Sequence, residues 1–138
     1  MPRFLGYFRR ASPRPPLAPR RATGSRKVQA GFEPLVSGFV RVPLDDLDAV
    51  RAIAEHNKNV VAVLIEPIQG EGGIHVSRME YLRTLKQICE RSEWLFMADE
   101  VQCGLGRTGQ WFVYQHAGIS PDVVALAKGL GGGVAVGA

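Results

Sequence analysis

The sequence predicts an α/β fold, with a mainly parallel sheet flanked by helices, and three observations carry that prediction. The runs Asn59–Ile65, Trp94–Ala98 and Val123–Ala127 are short and almost free of charge. Runs of that kind are what strands buried on both faces of a parallel sheet look like. Helical periodicity separates the first two, so the order strand, helix, strand, loop, strand implies right-handed parallel crossovers. The last two runs end abruptly in charge, at Asp99-Glu100 and at Lys128. Ligands of open α/β sheets lie outside the carboxyl ends of the strands. An acid and an amine are therefore expected at the same sheet edge.

A chain of 138 residues, 46% hydrophobic and 22% charged, builds at most one ordinary domain with a core of its own. No apolar run reaches the roughly 20 residues of a membrane-spanning helix. Cys89 and Cys103 have no metal or redox spacing and read as small core or pocket-wall residues of a reduced, cytoplasmic setting. The net charge of +4 is uneven: residues 1–27 hold eight of the 17 bases and no acid, leaving nine bases against all 13 acids in residues 28–138. Nucleic-acid binding would thus rest on the first segment alone, where no aromatic residues interleave with the bases in a stacking pattern, and it is not expected.

Residues 1–21 carry five prolines, at 2, 13, 15, 16 and 19. That density removes backbone donors and excludes helix or central strand beyond a short start. The segment is expected to be a disordered basic arm, an Arg-rich transit peptide, or a frame-shifted stretch joined to a genuine fragment covering residues 22–138. Next, Ala30–Val42 reads as loop and short strand. Asp45 or Asp46 then N-caps a helix that runs to about His56, with Leu47, Val50, Ile53 and Ala54 on one face. After the strand Asn59–Ile65 comes Glu66-Pro67 and a Gly-rich loop. Ser77-Arg78-Met79-Glu80 has the spacing of a capping box, and Met79, Leu82, Leu85, Ile88 and Cys89 continue at helical spacing.

The chemistry lies at the charged strand ends. Asp99 either caps the next turn through backbone N–H groups or is an acid held at a cleft to pair with a cationic ring nitrogen. Lys128, before glycines 129, 131, 132 and 133, either snorkels to solvent or is a partly desolvated amine that attacks a carbonyl to form a Schiff base. An Asp for a pyridinium nitrogen together with a Lys for an imine is what pyridoxal 5'-phosphate (PLP) chemistry asks of a protein. Gly104-Leu105-Gly106-Arg107-Thr108-Gly109 also fits the dinucleotide fingerprint. Two carboxylates would then crowd the pyrophosphate, however, and no helix opens at Gly106, so that reading is set aside.

Three stretches, EPIQGEGG (66–73), ADEVQCGLGRTG (98–109) and SPDVVALAKGLGGG (120–133), resemble the class III, PLP-dependent aminotransferases of fold type I, within that class most closely the acetylornithine and succinylornithine enzymes. The resemblance runs back through GFEPLVSGFVRVPLDD (31–46) to about residue 22. It implies a fold type I large domain in which Lys128 is the Schiff-base lysine and proton carrier. Asp99 would hold the pyridine nitrogen protonated, Val101 pack under the ring and Gln102 donate to the phenolic oxygen. Glu71 would be a gate acid on the substrate side, and Glu66 a support beside Asp99. The implied reaction moves an amino group between an N-acylornithine-type ω-amine and 2-oxoglutarate in a homodimer. Ornithine, 4-aminobutyrate and other ω-amines are the alternative donors. The family's phosphate loop, its ring-stacking aromatic, its carboxylate-binding arginine and its partner-subunit threonine have no counterpart in this sequence. The chain alone is accordingly expected to be inactive and prone to aggregate.

Overall fold

The computed structural model of the chain describes residues 4–9, 38–70 and 73–138. The central sheet has five strands: β1 (Phe4–Arg9), β2 (Phe39–Pro43), β3 (Val60–Ile65), β6 (Leu95–Asp99) and β7 (Val123–Ala125), in the order β2-β1-β3-β6-β7. The pairs β3–β6 and β6–β7 are parallel, whereas β1 runs antiparallel to both β2 and β3. A two-stranded hairpin, β4 (Ile68–Gln69) with β5 (His75–Val76), projects beyond β3. The helices are α1 (Leu47–His56), α2 (Met79–Arg91) and the single turn α3 (Val113–His116), and a 3-10 turn covers Lys128–Gly131.

β1 is a short start of the kind that the proline spacing leaves room for. It occupies the proline-free stretch between Pro2 and Pro13, where every residue keeps its backbone donor for a sheet ladder. The proline cluster of that segment falls outside the described residues.

α1 forms as its sequence requires. The Asp46 carboxylate accepts the Ala49 N–H at 2.9 Å, satisfying one of the free donors of the first turn. The predicted capping box of α2 does not form. Arg78, not Ser77, is the N-cap, and no side chain caps the helix. Helix geometry that begins at Met79 puts Glu80 one position short of the place from which it could reach back. The Ser77 N–H that Glu80 would accept in a box donates instead to the Pro67 carbonyl at 3.0 Å. Asp45, 33 residues earlier, accepts the Arg78 N–H at 3.2 Å through Oδ1, and its backbone oxygen takes the Arg78 guanidinium at 3.1 Å. Ser77 is buried and its hydroxyl takes no hydrogen bond.

Val50 of α1 and Tyr81, Leu82, Leu85, Ile88 and Cys89 of α2 pack with Val63, Ile65, Phe96 and Ala98 into one core. Burying each large apolar side chain of this kind contributes about 1.5–3 kcal/mol. The pairs Val63–Phe96 and Ile65–Ala98 face the helices, which puts Leu64 and Met97 on the other side. That other face is not covered by α1 or α2. Leu95, expected to be buried, is 50% exposed, and Val123 of the outermost strand is 40% exposed. A strand reads as apolar on both faces because helices belong on both, and the described residues supply one layer.

Asp122 fixes the register of β6 against β7. Its carboxylate accepts the Phe96 N–H at 2.7 Å, and its own N–H donates to the Phe96 carbonyl at 2.8 Å. Lys86 of α2 reaches the same carboxylate at 3.3 Å. The Phe96 N–H above all, with Lys86 assisting, holds the Asp122 carboxyl below the ordinary carboxylate range. A depressed folded-state value gives stability that is present above the unfolded value and lost as pH falls through the folded one. The stability gap between the wild type and Asp122→Asn should therefore close as pH drops below about 4. Urea unfolding along a pH series measures this, and a gap constant with pH would contradict it.

Candidate active site

β6 ends at Asp99, whereas β7 stops at Ala125, earlier than the run to Ala127 implied, and Lys128 begins the 3-10 turn beyond it. β6 pairs with β7 so that Asp99 stands opposite Ala125, three residues before Lys128. Strand alternation puts Asp99 on the open face of the sheet with Leu95 and Met97, while Phe96 and Ala98 turn to the core. Asp99 is half-buried, and its Oδ1 accepts the Val101 N–H at 3.1 Å. The turn-capping role expected of Asp99 is realised in this bond.

Lys128 has φ of 54°, in the left-handed region that costs an L-residue roughly 1–2 kcal/mol. Asp45 (64°), Ile74 (52°), Glu93 (56°) and Leu105 (57°) share that conformation, so Lys128 is one of five such non-glycine residues among those described. Strain of this kind persists where the surroundings impose it, typically at functional sites. Lys128 is exposed, however, and not partly desolvated as expected. Its cover, like that of the open sheet face, is not supplied by the described residues.

Val101 and Gln102 are half-buried in the turn after β6. Gln102 lies across the Gly-rich loop that follows β3: a Cβ on Gly70 would stand 3.1 Å from Gln102 Cδ and 3.2 Å from Cγ. Glu66 follows the Ile65–Ala98 pair, which sets it beside Asp99 at the strand ends. Its Oε1 accepts the Gly70 N–H at 3.3 Å. Glu66 therefore braces the loop on which Gln102 rests. Glu71 lies outside the described residues. Gly106 (φ 84°) and Gly109 (φ 90°) serve turns, and the next helix starts only at Val113, so the fingerprint spacing opens no phosphate-binding helix.

Two acids have structural parts that local sequence pattern barely signals. Glu100, next to Asp99, is 1% exposed and accepts the Cys103 S–H and the Tyr114 N–H. Its signal was Gly104, where a Cβ would come within 2.8 Å of the Glu100 carbonyl oxygen. Asp122, the clamp on β6, was marked only by following Pro121 ahead of a strand. The cysteines behave as small core residues: burial pushes the Cys89 thiol up to about 12, and burial followed by the Glu100 carboxylate pushes Cys103 well above its ordinary value. Among the described residues no group of three or more His, Cys, Asp or Glu is placed to hold a metal, and no helix is long and apolar enough to cross a membrane.

An acid and a lysine at one sheet edge, with a glutamine resting on a glycine loop, is an arrangement with relatives. Residues 21–138 match the family model described as aminotransferase class-III. The acetylornithine aminotransferase of Nitrosomonas europaea is 59% identical over 117 residues, which is 85% of this chain and 30% of that protein. Among solved structures, the acetylornithine aminotransferase of Elizabethkingia anophelis superposes with a TM-score of 0.70 at 36% identity, over 78% of this chain and 27% of that one. The ornithine aminotransferase of Toxoplasma gondii, in a structure showing partial occupancy of PLP at its active site, gives 0.77 at 34% identity, over 83% and 26%. The chain thus spans about 30% of the length of the relative from Nitrosomonas. The fold, the edge chemistry and the family match agree: the chain belongs to the class III aminotransferases.

Proposed function

We propose that this chain carries the PLP-binding floor of an aminotransferase acting on an N-acylornithine-type ω-amine, with 2-oxoglutarate as acceptor. The observation that carries the reading is the β6–β7 register, which sets Asp99 opposite Ala125 and so brings Lys128 to the same edge. The residues present fit the cofactor. Asp99 has one carboxylate oxygen bound to the Val101 N–H and one left for a protonated ring nitrogen. The bare Gly70 lets Gln102 lie flat over the loop, where its amide can reach a phenolic oxygen. PLP, when bound, supplies a ring that withdraws electrons from a carbon losing its proton.

The chain's own side chains do the rest. Asp99 keeps the ring nitrogen protonated by placing a negative charge beside it. Val101 bounds the ring's face, and Glu66 steadies the Gly70 loop. Lys128 Nζ would hold the cofactor and, once freed by the incoming amino donor, would move a proton between neighbouring carbons as general base and general acid in turn. Glu71 is assigned the gate position on the substrate side. The enzyme family's homodimer and a cytoplasmic location are part of the same proposal, as is a boundary near residue 22 between the basic segment and the aminotransferase segment. Ornithine is the second reading for the donor, favoured by the solved structure from Toxoplasma gondii, which is an ornithine aminotransferase.

Because Lys128 is exposed and one face of the sheet is open, the 138-residue chain alone should bind PLP weakly and give no steady turnover. The test is to titrate the purified chain with PLP, follow visible absorption, and assay N-acetylornithine with 2-oxoglutarate. A visible band that Asp99→Ala weakens by about tenfold or more in affinity supports the site. Steady turnover by the chain alone would overturn the inactivity, and a band indifferent to Asp99→Ala would overturn the role of that carboxylate.

A further inference from the structure

Glu100 is the only charged side chain buried among the described residues, and no part of the transfer chemistry uses it. Removing a carboxylate from water is costly unless hydrogen bonds compensate; here two reach the carboxylate, and the residue's backbone makes two more. The Glu100 N–H donates to the Ala125 carbonyl of β7 at 3.0 Å, and the Glu100 carbonyl accepts the Gly104 N–H at 2.8 Å. Oε2 accepts the Cys103 S–H at 3.1 Å, and Oε1 accepts the N–H of Tyr114 in α3, also at 3.1 Å. Asp99 immediately precedes this residue, Val101 and Gln102 lie inside the turn that it closes, and Ala125 stands three residues before Lys128. The turn is closed tightly: a Cβ on Gly104 would lie 2.8 Å from the Glu100 carbonyl oxygen and 3.0 Å from Glu100 Cβ.

We propose that Glu100 is the positioning residue of the site. It ties the turn 99–104 to β7 on one side and to α3 on the other, and so sets where Asp99 and Gln102 stand relative to Lys128. The inference rests on the cofactor reading above. A carboxylate suits the task because one side chain takes two donors from different segments, and each charge-assisted bond is about twice as strong as a neutral one. The adjacent acids then have distinct work: Asp99 faces the cofactor, and Glu100 holds Asp99 still.

Amide hydrogen exchange on the full chain, alongside PLP titration, tests the assignment in Glu100→Ala, Glu100→Gln and Gly104→Ala. In Glu100→Ala the amides of residues 101–116, Tyr114 above all, should exchange about tenfold faster while those of β3 and α2 keep their protection. PLP affinity should fall by about tenfold in the same variant, the loss expected when one buried donor is left unpaired. Glu100→Gln keeps an acceptor for the Tyr114 N–H and should restore that amide's protection. Gly104→Ala, which crowds the turn with the carboxylate present, should reproduce the local pattern. Exchange over 101–116 within twofold of the wild type in both Glu100→Ala and Gly104→Ala would overturn the proposal. So would uniform acceleration through β3 and α2, the mark of a residue that only stabilises the core. If the wild type shows no Lys128-dependent PLP signal, the cofactor reading fails, and the exchange pattern still decides whether Glu100 holds the turn.

Discussion

Lys128→Ala is expected to abolish the visible absorption band that forms when PLP is added to the chain, without unfolding it. The side chain is exposed and no core residue depends on it, so the change in stability should stay within about 0.5 kcal/mol. Lys128→Gly separates function from stability more sharply. The backbone at 128 is left-handed, with φ of 54°, and relieving it should raise stability by up to about 1 kcal/mol. The band should be lost all the same. A lysine kept where glycine is more comfortable is what a functional position looks like. Denaturant midpoints and PLP spectra on the three proteins check both effects, and a band surviving in either variant would contradict the role of Lys128.

Phe96→Ala should produce the largest loss of stability, about 3–5 kcal/mol. Phe96 is fully buried against α2, and its backbone makes both bonds to Asp122. Domains of ordinary stability have about 5–15 kcal/mol in hand, and this one buries its sheet on one face only. The variant should therefore be substantially unfolded at modest urea concentration, and the Asp99–Lys128 juxtaposition should go with the β6–β7 pairing. A urea midpoint close to the wild type's would contradict the packing described for β6. The open face has its own consequence: Leu95 is 50% and Val123 40% exposed there, and exposed apolar surface promotes association.

Local signals were legible in the sequence wherever they acted over a few residues. Asp46 caps α1 because its competitor for the Ala49 N–H is only water. The apolar runs became β3, β6 and β7, and their charged ends met at one edge as parallel topology requires. What escaped was set by partners distant in sequence. The Ser77 N–H, which Glu80 would have to accept in a capping box, donates instead to the Pro67 carbonyl ten residues earlier. Glu100 and Asp99 are the same chemistry in neighbouring positions, and strand alternation alone sends one to the interior and the other to the open face. The exposure of Lys128 and Leu95 escaped because apolar composition reports what a strand is suited to contact, not whether the contact is present. Left-handed φ at Lys128 had no sequence signal, since only a glycine there would have announced it.

Lys128, three residues beyond the Ala125 that pairs with Asp99, is proposed as the residue to which PLP is joined. Incubating the chain with PLP, reducing with borohydride and mapping peptides by mass tests it directly. The chain has four lysines, Lys27, Lys58, Lys86 and Lys128, so the outcome is discrete. The pyridoxyl mass is expected on the Lys128 peptide, strongly reduced by Asp99→Ala. Label spread evenly over the four lysines, or confined to Lys27, Lys58 or Lys86, would contradict it.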